Sequence, residues 1–169
     1  IMDPVSTVNA EADTTFAPME EAARRGHRVD HCLNTDLYLD RGRLFARVSQ
    51  ATMQRKLLPP IALSAPEDVS LHDVDAIFVR TDPPFDDNYL WCTLMLDRVQ
   101  QDTLVLNSPQ GLRHANEKLY TCGFPELMPE TLVANNKKRI KDFVTRVGGN
   151  AVIKPLGGRG GEGVLVLKN

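Results

Sequence analysis

The stretch best equipped for chemistry is VIKPLGGRGGEGVLVL, residues 152–167, where Lys154 stands in an apolar run and glycine fills five of the seven positions from 157 to 163. Glycine amides carry no Cβ to hold an oxyanion off, so several together can converge on a phosphate. Lys154 follows Val152 and Ile153 and precedes Pro155; an ammonium so placed either reaches water along its stem or meets an anion. The Walker loop puts its lysine after the glycines, in Gly-Lys-Ser/Thr, whereas Lys154 comes before them. Gly158, Gly160 and Gly163 spell G-x-G-x-x-G, but a dinucleotide loop opens a helix, and Val164, Leu165, Val166 and Leu167 form a β-rich run. What remains is strand, glycine turn, strand: a flap able to lie over a triphosphate. In protein kinases the lysine follows such a flap, so residue order separates this one from theirs. A glycine hairpin with no ligand is the plain alternative.

The elements that must position this loop are legible upstream. Asp13, Thr14 and Thr15 can cap a helix bearing Phe16, Met19, Ala22 and Ala23 on one stripe and ended by Gly26. A strand is expected over 28–33, and LYLDRGRLFARV reads as two strands about a turn at Asp40, Arg41 and Gly42. Residues 49–70, with Pro59, Pro60 and Pro66, read as a long irregular connection. DAIFVR (75–80) and TLVLN (103–107) read as buried strands, separated by an extended TDPPFDD turn and a helix begun by Asp86 or Asp87. Ser108 and Pro109 start another helix, expected to run to about Thr121. A short strand at 131–133 and a basic helix at 136–147 lead into the Lys154 strand. Strand, loop and helix in alternation indicate an α/β fold with a parallel sheet, whose ligands gather at the carboxyl ends of the strands. Asp3, Arg80, Asp82 and Asn107 follow such ends, each also explicable as a turn former, a surface charge or a partner of its neighbour. Lys118 and Lys154 could bracket a nucleotide, although Lys118 on a helix surface would be unremarkable.

Composition narrows the classes. The chain has 169 residues, 42% hydrophobic and 25% charged, enough for one sizeable core. A net charge of −2 gives no overall field for nucleic acid or an anionic membrane, so neither is expected as a partner, and the basic helix reads as a solvated face. No apolar run is long enough for a membrane span and no export signal is recognisable, while Cys32, Cys92 and Cys122 are odd in number and widely spaced; a cytoplasmic protein with reduced thiols is expected. His27 and His31 have i, i+4 spacing but fall in an expected strand, so no metal site is assigned to them. The opening Ile-Met-Asp-Pro is a stub too short for a core strand, and the chain stops just after the flap; both features suggest a piece of a longer parent.

The MDP stub, RTDPPFD (80–86), NSPQGLRHANEKLY (107–120), PETLV ending at Val133 and IKPLGGRGGEGV (153–164) together resemble bacterial glutathione synthetase, of the ATP-grasp ligases, over essentially the whole chain. The resemblance implies a parallel-sheet pre-ATP-grasp domain at 1–112 and the first part of an ATP-grasp domain at 113–169. It implies a ligase that joins γ-glutamylcysteine to glycine through an acyl phosphate, releasing ADP and phosphate. By position, Lys118, Lys154, Gly158, Arg159, Gly160, Gly161 and Gly163 would bind ATP, and Asp3, Arg80 and Asp82 the substrate. The Mg2+ or Mn2+ ligands would lie beyond Asn169, the parent would be a homo-oligomer, and the 169-residue piece would be inactive alone. Another ATP-grasp carboxylate-amine ligase and a non-catalytic nucleotide-binding module are the competing readings.

Overall fold

The computed structural model describes residues 1–82, 84–116, 118–158 and 160–168. It divides into two units, Ile1–Arg113 and His114–Asn169.

In the first unit, five antiparallel strands, β1 (Asp30–His31), β2 (Leu37–Asp40), β3 (Arg43–Met53), β4 (Ile61–Leu63) and β5 (Glu67–Ser70), are organised by the long β3, with which each of the others pairs. The β2–β3 turn has Arg41 and Gly42 at φ +48° and +82°, the left-handed pair that a two-residue hairpin needs to match strand twist. Leu44, Ala46 and Val48 of β3 alternate into one core; the alternation then slips by a residue, and Ala51 enters a second core with Met2, Val8, Phe16 and Ile61. A slip of one reverses the buried face, so a single strand serves two cores.

That sheet corrects the reading of residues 49–70 as irregular. They hold the end of β3, β4 and β5, with the three prolines confined to the connections. Strands of three or four residues carry too little pattern to announce themselves; their order comes from hydrogen bonds to β3. The strand expected over 28–33 is reduced to Asp30–His31 for the same reason.

β6 (Ala76–Phe78) and β7 (Leu104–Leu106) form the parallel pair. Ile1 joins them: its N–H donates to the Phe78 carbonyl at 2.9 Å, and Arg80 N–H donates back to the Ile1 carbonyl at 2.7 Å, bracketing Val79 as in a parallel ladder. Met2 N–H donates to the Cys32 carbonyl, so the stub expected to be too short for a strand is bonded on both sides. Ile77, Val79 and Val105 are buried with Cys92, Leu96 and Val99 of α2 (Asp87–Leu96) and the turn after it. The α2 helix begins where Asp86 Oδ1 accepts from Tyr89 N–H, and α1 (Phe16–Arg24) where Asp13 Oδ1 accepts from the amides of Thr15 and Phe16. Gly26, at φ +84°, lies just past the end of α1.

The helix expected from Pro109 to about Thr121 stops early, as α3 (Pro109–His114). Asn116 Oδ1 accepts from the amides of Lys118 and Leu119, a side-chain turn that competes with helix propagation. The second unit continues with single 3-10 turns at Tyr120–Gly123 and Pro125–Leu127, then α4 (Lys137–Arg146), capped by Asn136, and the antiparallel pair β8 (Ala151–Ile153) and β9 (Leu165–Leu167). Residues 131–133, expected as a strand, are not one. No helix among the described residues is long and apolar enough to cross a membrane.

Candidate functional site

In the second unit β8 delivers Lys154 to the start of the glycine turn, exposed and without a hydrogen bond to any described residue. The turn folds back over Pro155: a Cβ on Gly158 would stand 2.8 Å from the Pro155 Cγ and 2.8 Å from the Glu162 carbonyl oxygen, and one on Gly163 3.0 Å from the same Cγ. These two glycines let the flap close on its own base. Gly160 and Gly161, at φ +54° and +85°, have nothing within 4 Å of a would-be Cβ, so the tip leaves backbone open to a ligand. Lys118, half-buried, donates from Nζ to the Gly158 carbonyl oxygen at 2.6 Å. Its backbone is fixed by the Asn116 turn, which puts an ammonium directly on the flap. Arg159, expected beside these residues, lies outside the described residues, as do Pro83 and Glu117 of the motifs quoted above.

The first unit carries a separate cluster at the carboxyl ends of its parallel strands. Asp82 N–H donates to Asp3 Oδ2 at 3.0 Å, tying the end of the stub to the segment after β6. Behind Asp3, the buried His31 places Nε2 3.2 Å from the Asp3 carbonyl oxygen, and burial lowers the imidazole pKa below its ordinary value. Arg80 donates from Nη2 to Thr14 Oγ1 at 2.8 Å and from Nε to Thr15 Oγ1 at 3.2 Å. Beside it opens a cavity of about 470 Å3 lined by Thr14, Pro18, Phe78, Arg80, Leu106 and Asn107. Asp3, Arg80, Asp82 and Asn107 are thus gathered on one sheet edge, while Lys118, Lys154 and the glycines form a second cluster in the other unit.

Three residues were missed as site components. Thr14 and Thr15 read as caps, but Asp13 caps α1, which releases both hydroxyls to Arg80. The doubled threonine was the only available signal. Asn116 carried none beyond its place two residues before Lys118. Among the described residues no three His, Cys, Asp or Glu side chains converge as metal ligands.

Parallel strands ending in polar groups, followed by a lysine-bearing strand, glycine flap and return strand, define a class: a pre-ATP-grasp unit leading into the opening of an ATP-grasp unit. The family model described as prokaryotic glutathione synthetase, N-terminal domain, matches residues 1–113, and that for the ATP-grasp domain of prokaryotic glutathione synthetase matches residues 117–169. The glutathione synthetases of Salmonella typhimurium and Photorhabdus laumondii are each 38% identical to this chain over 169 residues, and that of Yersinia pestis is 40% identical. Each alignment covers 99% of this chain and 53% of the relative, so the chain spans about half the length of the curated relatives it matches. The chain belongs to the prokaryotic glutathione synthetase family.

Proposed function

We propose that the full protein containing this chain is an ATP-dependent glutathione synthase joining γ-glutamylcysteine to glycine. A carboxylate is a poor electrophile; transfer of the ATP γ-phosphoryl group to the cysteinyl carboxylate, with departure of ADP, makes an acyl phosphate. The glycine amine then attacks the acyl carbon, phosphate leaves, and the amide forms.

The observation that carries this reading is the flap: Lys118 Nζ on the Gly158 carbonyl, with the open Gly160 and Gly161 backbone at the tip. Lys118 and Lys154 set two positive charges at the root of the flap to meet triphosphate oxygens, and the flap amides of Gly160, Gly161 and Gly163 donate where charge develops in transfer. Arg159 contributes a further positive charge to ATP binding. The closed flap keeps water from the acyl phosphate. In the first unit Asp3, Arg80 and Asp82 hold the dipeptide, a role suited to charges at strand carboxyl ends. A divalent ion, Mg2+ or Mn2+, would supply screening of the phosphate charge, with its ligands expected outside the described residues. The domains divide at 112/113, the protein is cytoplasmic and homo-oligomeric, and its partners are small molecules, with neither nucleic acid nor membrane involved. The 169-residue chain alone is inactive, because the described residues bring together no ligand set for the ion.

The test is ADP release by the full protein, followed in a coupled assay with ATP, γ-glutamylcysteine and glycine, beside D-alanine as the rival substrate. ADP release dependent on both γ-glutamylcysteine and glycine is expected. Release driven by D-alanine, or ATP binding without turnover, would replace this reading by another ligase or by a nucleotide-binding module.

A further inference from the structure

The Arg80 guanidinium is oriented but not neutralised. Arg24, Arg28, Arg47, Arg55, Arg113 and Arg146 each lie within ion-pair distance of a carboxylate. Arg80 has none among the described residues; its two side-chain hydrogen bonds go to the Thr14 and Thr15 hydroxyls, which fix its direction without cancelling its charge. Nη1 makes no hydrogen bond to any described residue, and Arg80 borders the 470 Å3 cavity together with Asn107. The Thr81 hydroxyl oxygen, next in sequence, is buried without a hydrogen-bond partner among the described residues. A planar cation held on one edge and open on the other is suited to a carboxylate, which it can meet with two parallel N–H bonds. Bordering a cavity and facing no carboxylate among the described residues, the Arg80 cation matches a ligand group bearing a carboxylate.

We propose that Thr14 and Thr15 are positioning residues that aim Arg80 at the α-carboxylate of the γ-glutamyl end of the dipeptide. The inference rests on the function proposed above and deepens it. The cysteinyl carboxylate is consumed by phosphorylation, so the glutamyl α-carboxylate is the charge left for the first unit to hold throughout the reaction. Selection for a γ-linked over an α-linked dipeptide then follows, because only the γ-linkage leaves the α-aminocarboxylate intact.

The experiment measures steady-state kinetics of the full protein carrying Thr14→Val or Thr14→Ser, with γ-glutamylcysteine and with 4-aminobutanoyl-cysteine, which lacks the α-carboxylate. Loss of one orienting hydrogen bond to a charged group should raise KM for γ-glutamylcysteine about fivefold in Thr14→Val. KM for ATP should stay unchanged and kcat should hold within about twofold, since the hydroxyl lies away from the phosphoryl chemistry. Thr14→Ser should restore the wild-type KM, and the analogue should show one KM with all three proteins. An unchanged KM for γ-glutamylcysteine in Thr14→Val overturns the proposal, as does an equal rise with the analogue, which would make the hydroxyl a support for the loop alone. Wild-type protein without dipeptide-dependent turnover overturns the proposed function and this inference together; turnover with an unmoved KM overturns only the inference.

Discussion

Replacing Gly158 with alanine puts a methyl group where the flap closes on its base. The new Cβ would meet the Glu162 carbonyl oxygen and the Pro155 Cγ, both at 2.8 Å, and each contact must open by roughly 0.6 Å to reach ordinary van der Waals distance at 3.4 Å. Neither neighbour is the loose end of a flexible side chain, so the flap itself must move, taking with it the carbonyl that accepts from Lys118 Nζ. Overpacking of this kind costs about 1–3 kcal/mol. If the displaced flap has to be driven back by the nucleotide, a value toward the lower end, about 1.4 kcal/mol, corresponds to about a tenfold rise in KM for ATP. The assay is ADP release by the full protein at varied ATP, with thermal denaturation alongside; the flap lies outside both cores, so Tm should move little. Two alanine controls isolate the cause. A Cβ at Gly157 meets nothing within 4 Å and its φ is not in the left-handed region, so Gly157→Ala should leave the ATP KM within about twofold. Gly161 is equally open but sits at φ +85°, so Gly161→Ala should cost about 1–2 kcal/mol through backbone strain alone. Gly157→Ala as damaging as Gly158→Ala, or Gly158→Ala with an unchanged ATP KM, would refute the steric reasoning.

Two further expectations concern pH. Burial lowers the His31 pKa below 6.5, so the unfolded chain takes up the proton first; stability is full above that value and declines as pH falls through 6.5 toward the folded value. Tm measured from pH 7.5 to 5 should fall less steeply in His31→Gln, and an identical slope would remove His31 as the cause. On the alkaline side, burial pushes the Cys92 thiol from about 9 up to about 11, favouring the neutral form in the fold; stability is present below pH 9 and is lost between 9 and 11. That interval corresponds to on the order of 2–3 kcal/mol, and chemical denaturation of Cys92→Ala should lack this alkaline component.

The sequence by itself determined the features whose cause is local. Asp86 caps α2 because its carboxylate reaches an amide three residues on, Arg41 and Gly42 make the hairpin turn through left-handed backbone, and the flap is announced by glycines around a single lysine. The quoted motifs, in their order, resemble those of the family to which the chain belongs. Only the tertiary structure decided the rest, because the partners are far apart in the chain and no periodicity encodes them. Arg80 bonds to Thr14 across 66 positions, Asp82 to Asp3 across 79, and Lys118 to Gly158 across 40. The short strands β4 and β5 exist because β3 supplies their hydrogen bonds. Orienting a guanidinium or seating an ammonium on a carbonyl requires two chain segments to be held within about 3 Å of each other, and that proximity is a product of packing rather than of any local preference.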